Sequence, residues 1–419
     1  MRIGRTLSPA AAPMSKLSFY RGLQGIVRGQ SEIDGFRKDL KDYFQADYCF
    51  LLSSGKAALT LILQALKTVN PERDEVLIPA FTCYSVPSAI VRAGLKVRLA
   101  DMDPHTLDYD FNALRASVED KDRILAALST YLFGLPASIS KLRQALADSK
   151  VTVIEDAAQA MGGVAGKKYL GTLGDVGFFS LGRGKAFTTV EGGVIVTRSA
   201  ELAERIHEQI KASAAIVEPG SVVKFAAYTL ALSIFTHPSL FWLPKSIPAL
   251  KLGETIYDPQ FPVKHFSTFQ AGLTRNWKKE LVILQEKRVH NVQYWKRTLS
   301  RFSWMQPIPE SSETLPALPL IRFPVRVQKS FLRTKLLKIS EKKGLGIMPA
   351  YPGTIDAIKG LKNNGLKGEP GGFPGAKACA DQLVTFPVHG FVSLRDKQKI
   401  GAALESVQAA DYSSFPQTR

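Results

Sequence analysis

Val153-Ile154-Glu155-Asp156-Ala157-Ala158-Gln159 is an apolar run that ends in two acids and then in small residues. Bounded as it is, the run over 151–154 reads as a strand that delivers Glu155 and Asp156 to its carboxyl end. Similar short runs lie at 48–52, 76–79, 97–100, 124–128, 176–180 and 194–197. Helical patterns separate several of them: 57–66, a stretch reaching Val91, and 142–146. Strands alternating with helices in this way predict an α/β fold, with a mostly parallel central sheet sandwiched by helices. In such sheets ligands bind outside the carboxyl ends of the strands, which is where Asp156 would stand.

The 419 residues suffice for one large domain and a smaller one. We expect an arm or loop over 1–30, a large domain over 31–245 and a smaller C-terminal α+β domain over 246–419. In the second part a charged helix is expected over 277–299 and a strand over 318–327. Helices should follow at 332–343 and 394–407, and a Gly-, Lys- and Pro-rich mobile loop at 363–375. Residues 225–243 contain no Lys, Arg, Asp or Glu, yet Pro238 interrupts them and Pro244 follows. That is too broken for a membrane span. It reads as a buried helix or subunit contact, with an interfacial patch resting on a membrane as the alternative.

Cys49, Cys83 and Cys379 are far apart and form no CxxC pair, which argues against a zinc site and a disulfide framework and favours a reducing, cytoplasmic setting. Arg2 and Arg5 are not followed by a long apolar segment, so no secretory signal is expected. The six histidines form no metal signature, and His389 reads as part of a loop near the cleft. A net charge of +18 favours anionic partners, such as nucleotide-linked or phosphorylated substrates or an anionic membrane face. The basic clusters lack any zinc-finger or RNP-type pattern, so no nucleic acid is expected.

Two further stretches bear on chemistry. Phe178-Phe179-Ser180-Leu181-Gly182-Arg183-Gly184-Lys185 ends a strand in a serine and presents a lysine on a glycine-rich turn. Glycines permit close backbone approach and positive φ, and a lysine held near carboxylates can form a Schiff base with a carbonyl cofactor. Ser53-Ser54-Gly55-Lys56-Ala57-Ala58-Leu59 joins a strand to a helix, whose free N–H groups would hold a phosphate. It is not a P-loop, since the first glycine and the Ser/Thr are missing. Taken singly, each has a plain alternative: a helix-start acid, a solvated lysine, a serine cap. Together, a phosphate cradle, a ring-nitrogen carboxylate and a lysine match what pyridoxal 5'-phosphate requires.

The chain resembles the DegT/DnrJ/EryC1/StrS family of sugar aminotransferases, of the fold-type I pyridoxal-phosphate enzymes. The resemblance rests on SSGKAAL (53–59), PAFTCYSVPSAI (79–90), DMDPHTLDYD (101–110), FGLPASI (133–139), EDAAQAMGG (155–163), GTLGDVGFFS (171–180), Lys185 and EGGVIVT (191–197). It implies that Lys185 is the Schiff-base lysine and proton shuttle, and that Asp156 pairs with the pyridine nitrogen. Gln159 would pack near the ring, while Ser180 and the backbone of Ser54, Gly55 and Lys56 would hold the phosphate. The family's ring-stacking aromatic is replaced here by Cys83, which leaves Tyr84 as the candidate. Met161 and Tyr131 stand where histidines are common in the family. Members that act as dehydratases carry His in place of the lysine, so Lys185 points to transamination. The resemblance implies a homodimer, an amino-acid donor (glutamate first) and a keto-sugar acceptor, nucleotide-linked. The alternative is a non-catalytic cofactor-binding protein that regulates or scaffolds a polysaccharide pathway at the membrane.

Overall fold

Strands β1 (Tyr48–Leu52), β2 (Glu75–Pro79), β3 (Lys96–Ala100), β4 (Ile124–Thr130) and β5 (Thr152–Asp156) are followed by a small hairpin of β6 (Val164–Ala165) and β7 (Lys168–Tyr169). Then come β8 (Val176–Ser180) and β9 (Gly193–Thr197). The computed structural model describes residues 3–118, 121–146, 150–247, 255–309, 318–364, 366–368 and 371–413. Seven of these strands form one sheet in the order β1-β9-β8-β5-β4-β2-β3. Strands β2, β3, β4, β5 and β8 pair in parallel, while β9 runs antiparallel to both β8 and β1. The alternating pattern in the sequence therefore produces the mostly parallel sheet it predicts.

Both faces of the sheet are covered, which is why β4 is buried along its whole length. Within β1, Cys49 and Leu51 point to one face and Leu52 to the other, as period-two alternation requires. Helix Gly55–Val69 covers the second face with Leu59, Ile62, Leu63 and Leu66. Helix Gln30–Phe44 covers the first with Ile33, Phe36, Leu40 and Phe44, and Phe44 stacks on Phe179 of β8 at 4.5 Å.

A second, antiparallel sheet has the order β10-β11-β13-β12, from Met305–Pro307, Arg322–Val327, Leu383–Pro387 and Met348–Pro349 respectively. Helices Ser330–Lys343 and Leu394–Ser413 pack together beside it. Helix Trp277–Leu299 links the two halves. Trp277 and Leu281 join the cluster of Phe36 and Phe44, whereas Trp295 and Leu299 pack with the residues of β11 and β13.

Several expectations need correction. Residues 1–30 are not simply an arm or loop, because Lys16–Arg28 is helical. The strand expected from 318 begins at Arg322. Residues 365, 369 and 370 of the glycine-rich stretch lie outside the described residues, but its neighbours are anchored. Lys367 exchanges backbone hydrogen bonds with Val97 and Leu99 beside β3, and Phe373 is buried where helix Pro374–Gln382 begins. Residues 225–243 are not a buried helix: of helix Pro219–Phe235 only Phe225 and Thr229 are buried. Among the described residues no helix is long and apolar enough to cross a membrane.

Candidate active site

The carboxyl ends of β1, β5 and β8 meet at one edge of the sheet, joined there by the start of β9. Ser54 caps helix Gly55–Val69, its hydroxyl accepting from the Ala57 N–H at 3.1 Å. That leaves the Gly55 and Lys56 N–H groups without a hydrogen-bond partner among the described residues. Both belong to the helix's first turn, where the macrodipole favours an anion. Opposite lies Ser180. A methyl group on Gly55 would come within 3.0 Å of the Ser180 Cβ, and one on Gly193 within 2.1 Å of the Ser54 carbonyl oxygen. Ser54, Gly55, Lys56 and Ser180 are thus brought together, and Gly193 is what lets them close. The Lys56 side chain turns away, its Nζ 4.3 Å from the centre of the Phe261 ring; burial lowers its pKa.

Asp156 ends β5 and is 6% exposed. Burial pushes its carboxyl up to about 6, against the opposing pull of the Ala158 N–H (3.1 Å) and of the nearby Lys185 charge. Lys185 itself is half-buried on the turn after β8. Its N–H donates to the Gly182 carbonyl at 3.3 Å, and Gly184 supplies the positive φ of 73° that the turn needs. Its ammonium has no hydrogen bond or ion pair among the described residues. The hydroxyl of Thr130, a residue paired with Asp156 across β4 and β5, is buried without a partner among the described residues, and so is that of Thr82 just beyond β2. Buried polar atoms are seldom left so.

Gln159 is buried. Its Nε2 donates to the Tyr351 hydroxyl at 2.7 Å, and its Oε1 accepts from the Phe133 N–H at 3.2 Å. Tyr351 stacks on Phe133 at 6.2 Å and meets Phe81 edge-on at 5.4 Å. Arg322 lies over the Phe133 ring at 5.7 Å and donates to Thr385 Oγ1 at 2.8 Å and to the Pro349 carbonyl at 2.7 Å. No carboxylate pairs with it among the described residues, and burial lowers its pKa to about 10. Tyr84 is half-buried, its hydroxyl near Gly353, with burial first and the Asp356 charge second raising its pKa. Cys83 faces Tyr351 and Lys56 closely enough to influence both. The structure therefore draws Lys185, Asp156, Ser180, Ser54, Gly55 and Lys56 to one edge. Gln159 and Tyr84 instead meet residues of the C-terminal half.

The two adjacent acids have different environments. Glu155 is fully buried and accepts from the Tyr131 hydroxyl and from the N–H groups of Gly171 (2.7 Å), Leu173 and Gly174. It holds the loop before β8 and is spent on that task.

Sequence reading missed Tyr351, Arg322, Thr130 and Arg288. Arg288 is 1% exposed and donates to the carbonyls of Ala186 (2.7 Å), Lys185 (3.0 Å) and Ala11 (3.2 Å). Burial lowers its pKa to about 10. Its signal was available, since it interrupts the buried stripe Trp277, Leu281, Leu284, Arg288, Val292, Trp295 and Leu299. His389 is buried as well. Its Nε2 bonds to the Ser8 carbonyl at 2.9 Å, its Nδ1 accepts from the Phe391 N–H at 3.3 Å, and burial lowers its pKa to about 4.

Residues 23–224 match the profile of the DegT/DnrJ/EryC1/StrS aminotransferase family. An L-glutamine:2-deoxy-scyllo-inosose aminotransferase from Streptoalloteichus tenebrarius is 33% identical over 187 residues, 45% of this chain and 42% of that protein. A GDP-perosamine synthase from Vibrio cholerae is 29% identical over 167 residues, 40% of this chain and 44% of its own length. The chain thus aligns with less than half the length of these relatives. Among solved structures, PseC of Helicobacter pylori, an aminotransferase involved in the biosynthesis of pseudoaminic acid, superposes with a TM-score of 0.76 at 15% identity, covering 97% of this chain and 100% of that one. The GDP-4-keto-6-deoxy-D-mannose-3-dehydratase of E. coli, solved with bound hydrated PLP, gives 0.73 at 19% identity over 96% of this chain and 100% of its own. These likenesses extend the shared fold across both sheets. The sheet order, the lysine turn and the buried acid of β5 all lie inside the matched region, so residues 23–224 are the part of the chain that is similar to the DegT/DnrJ/EryC1/StrS aminotransferase family.

Proposed function

We propose that this chain is a pyridoxal-phosphate-dependent aminotransferase that moves an amino group from an amino-acid donor to a nucleotide-linked keto-sugar. The observation that carries the reading is the pair formed by Asp156 and Lys185. A buried carboxyl with a raised pKa lies in the field of an ammonium that, like the two N–H groups of the neighbouring helix start, has no hydrogen-bond partner among the described residues.

The residues fit the cofactor. Gly55 N–H, Lys56 N–H and the Ser180 hydroxyl would bind its phosphate. Asp156 would hold a proton on its ring nitrogen, for which burial makes the carboxylate a strong partner. Gln159 would pack near the ring, Tyr84 would stack on it, and the hydroxyls of Thr130 and Thr82, without a partner among the described residues, would offer further polar contacts. When bound, pyridoxal phosphate supplies a carbonyl for the donor's amine and a ring that accepts electrons. Lys185 Nζ would take the proton from the substrate carbon and return it, the task of a positioned general base. Phe133, Tyr351 and Phe81, packed ring to ring, would exclude water from one side.

Glutamate is proposed as donor, with glutamine the donor in the name of the Streptoalloteichus relative. The GDP-perosamine synthase and a charge of +18 both favour an acceptor carrying a pyrophosphate. The proposal includes a homodimer, a cytoplasmic setting suited to three free cysteines, and a division at about residue 245 between the parts that build the site.

Borohydride reduction of the cofactor-loaded protein, followed by peptide mapping, should fix the cofactor to Lys185. Amino transfer from glutamate or glutamine to a nucleotide-linked keto-sugar should fall to background in Lys185→Ala. Full transfer by that variant would reject the reading.

A further inference from the structure

Burial lowers the pKa of Arg288 and of Arg322 to about 10, and neither meets a carboxylate among the described residues. Arg288 is taken up by main-chain carbonyls through both terminal nitrogens. Arg322 is not. Its Nε and Nη2 both donate to the Thr385 hydroxyl, Nε at 2.8 Å, and Nη2 also reaches the Pro349 carbonyl at 2.7 Å. Thr385 is fully buried and gives its own hydrogen to the Met348 carbonyl at 3.2 Å, which leaves its lone pairs for the guanidinium. The plane and direction of the guanidinium are thereby fixed. The N–H groups of Nη1 have no partner among the described residues, and the residue is only half-buried, so that edge stays open to a ligand.

The neighbours of Arg322 tie it to Asp156. The guanidinium lies 5.7 Å from the centre of the Phe133 ring, and Phe133 stacks on Tyr351 at 6.2 Å. The Tyr351 hydroxyl accepts from Gln159 Nε2, and the charges of Arg322 and Asp156 both reach it. One hydroxyl thus adjoins the open cation and the acid assigned to the ring nitrogen. Phe81, Phe133 and Tyr351 make the surroundings apolar, which strengthens an ion pair formed against them.

Chemistry identifies what the edge would take. A guanidinium held in one orientation beside aromatic rings suits a planar carboxylate. In an amino-acid donor the carboxylate is attached to the very carbon from which Lys185 would remove a proton, so it has to lie close to Lys185 and Asp156. A pyrophosphate on the acceptor is separated from the reacting carbon by the sugar ring, and its charge falls farther out. The reacting end of a keto-sugar carries no charge at all. A cation placed this near the buried acid is therefore matched to the donor.

We propose that the Nη1 edge of Arg322 receives the carboxylate beside the donor's amine, an assignment that rests on the aminotransferase reading given above. Arg322 then serves one half of the exchange. It holds the amino acid and the keto acid left behind, both of which carry the carboxylate, and makes no demand on the sugar.

Calorimetric titration of the cofactor-loaded protein with glutarate, a dicarboxylate without the amine, tests it. Arg322→Gln should raise the Kd for glutarate roughly ten-fold or more, while the Kd for GDP, which carries the acceptor's kind of charge, stays as in the parent. With L-glutamate the same variant should need a correspondingly higher concentration for half-maximal change of the cofactor's absorbance. Arg322→Lys keeps the charge without the fork and should bind glutarate with intermediate affinity. Should the glutamine variant fail to fold, the lysine variant decides alone, by binding glutarate more weakly than the parent or equally well. Equal glutarate affinity in parent and variant overturns the proposal. So does a parent that does not bind glutarate, or a variant that loses GDP in the same proportion. Borohydride keeps the two assignments apart: cofactor fixed to Lys185 in a variant with unchanged glutarate affinity removes the role of Arg322 alone, whereas a parent that cannot be fixed at Lys185 rejects the aminotransferase reading itself.

Discussion

Arg288 donates to the main-chain carbonyl of Lys185 at 3.0 Å, from a position where no carboxylate among the described residues balances its charge. It also holds the carbonyls of Ala186 and Ala11, so one guanidinium joins the lysine turn to the N-terminal segment. A buried cation carries a desolvation cost that only full hydrogen bonding offsets. Here three carbonyls supply much of that bonding, through the two terminal nitrogens, while the buried Nε has no partner among the described residues.

Arg288→Met should accordingly destabilise the protein by about 2–4 kcal/mol, because it strands buried carbonyls while keeping most of the volume. Urea unfolding would measure this. Arg288→Lys should recover part of the loss. Neither change touches Asp156, so phosphate binding at Gly55 should survive in whatever fraction remains folded.

Asp156 predicts a pH dependence with a definite sign. Its folded pKa of about 6 lies above the ordinary 3.8. Between these values the folded state binds more protons than the unfolded one, so this group's contribution declines as pH rises through the window and is level above it. Cofactor-free Asp156→Asn should therefore be more stable than the parent above about pH 6, by up to about 3 kcal/mol, with the gap closing toward pH 4. Equal stability of the two proteins at all pH values would contradict a buried, strained carboxyl.

His389 acts in the opposite sense. Its folded pKa of about 4 lies below the ordinary 6.5, so its contribution is present above the upper value and is lost as pH falls toward the lower. His389→Gln should flatten this acid limb by about 3 kcal/mol across the window, after a constant offset for the altered bonds to Ser8 and Phe391. The slope of the difference between variant and parent, followed by thermal melts, separates the two effects.

Glu155 and Asp156 should part company on mutation. Glu155→Gln loses acceptor capacity toward Tyr131 and three backbone N–H groups, with an expected destabilisation of about 1–3 kcal/mol and cofactor affinity affected only through folding. Asp156→Asn should weaken cofactor binding and abolish transfer while leaving the protein folded. Absorbance titration with pyridoxal phosphate distinguishes them.

Much of this was legible in the sequence because the large sheet is specified locally. Short apolar runs, helices between them and acids or serines at the strand ends give the seven strands of the large sheet, though not the small β6–β7 hairpin, and the edge where Asp156, Ser180 and Ser54 meet. Other features arise from tertiary contact alone. Glu155 and Asp156 are adjacent in the chain, and only the loop 171–174 determines which of them is consumed by structure. Arg322 starts β11 of the second sheet and Tyr351 follows just after β12; those strands have no motif, and both residues reach the site through folding across nearly two hundred residues. The helix at Lys16–Arg28 was hidden because its glycines, which ordinarily weaken helices, here serve as its packing surface.

The segment around residues 5–11 has a consequence for how the protein is made. Arg5 pairs with Asp396, 391 residues away, Ser8 with His389, and Ala10 lies against Gly184 in the lysine turn. During synthesis this stretch emerges long before its partners exist. Contacts of such separation form late. Until the final helix has docked, the turn that carries Lys185 lacks one of its walls. A nascent chain would thus hold a finished sheet and an unfinished lysine turn, so that Lys185 is set in place only once the residues through Asp396 are available to enclose it.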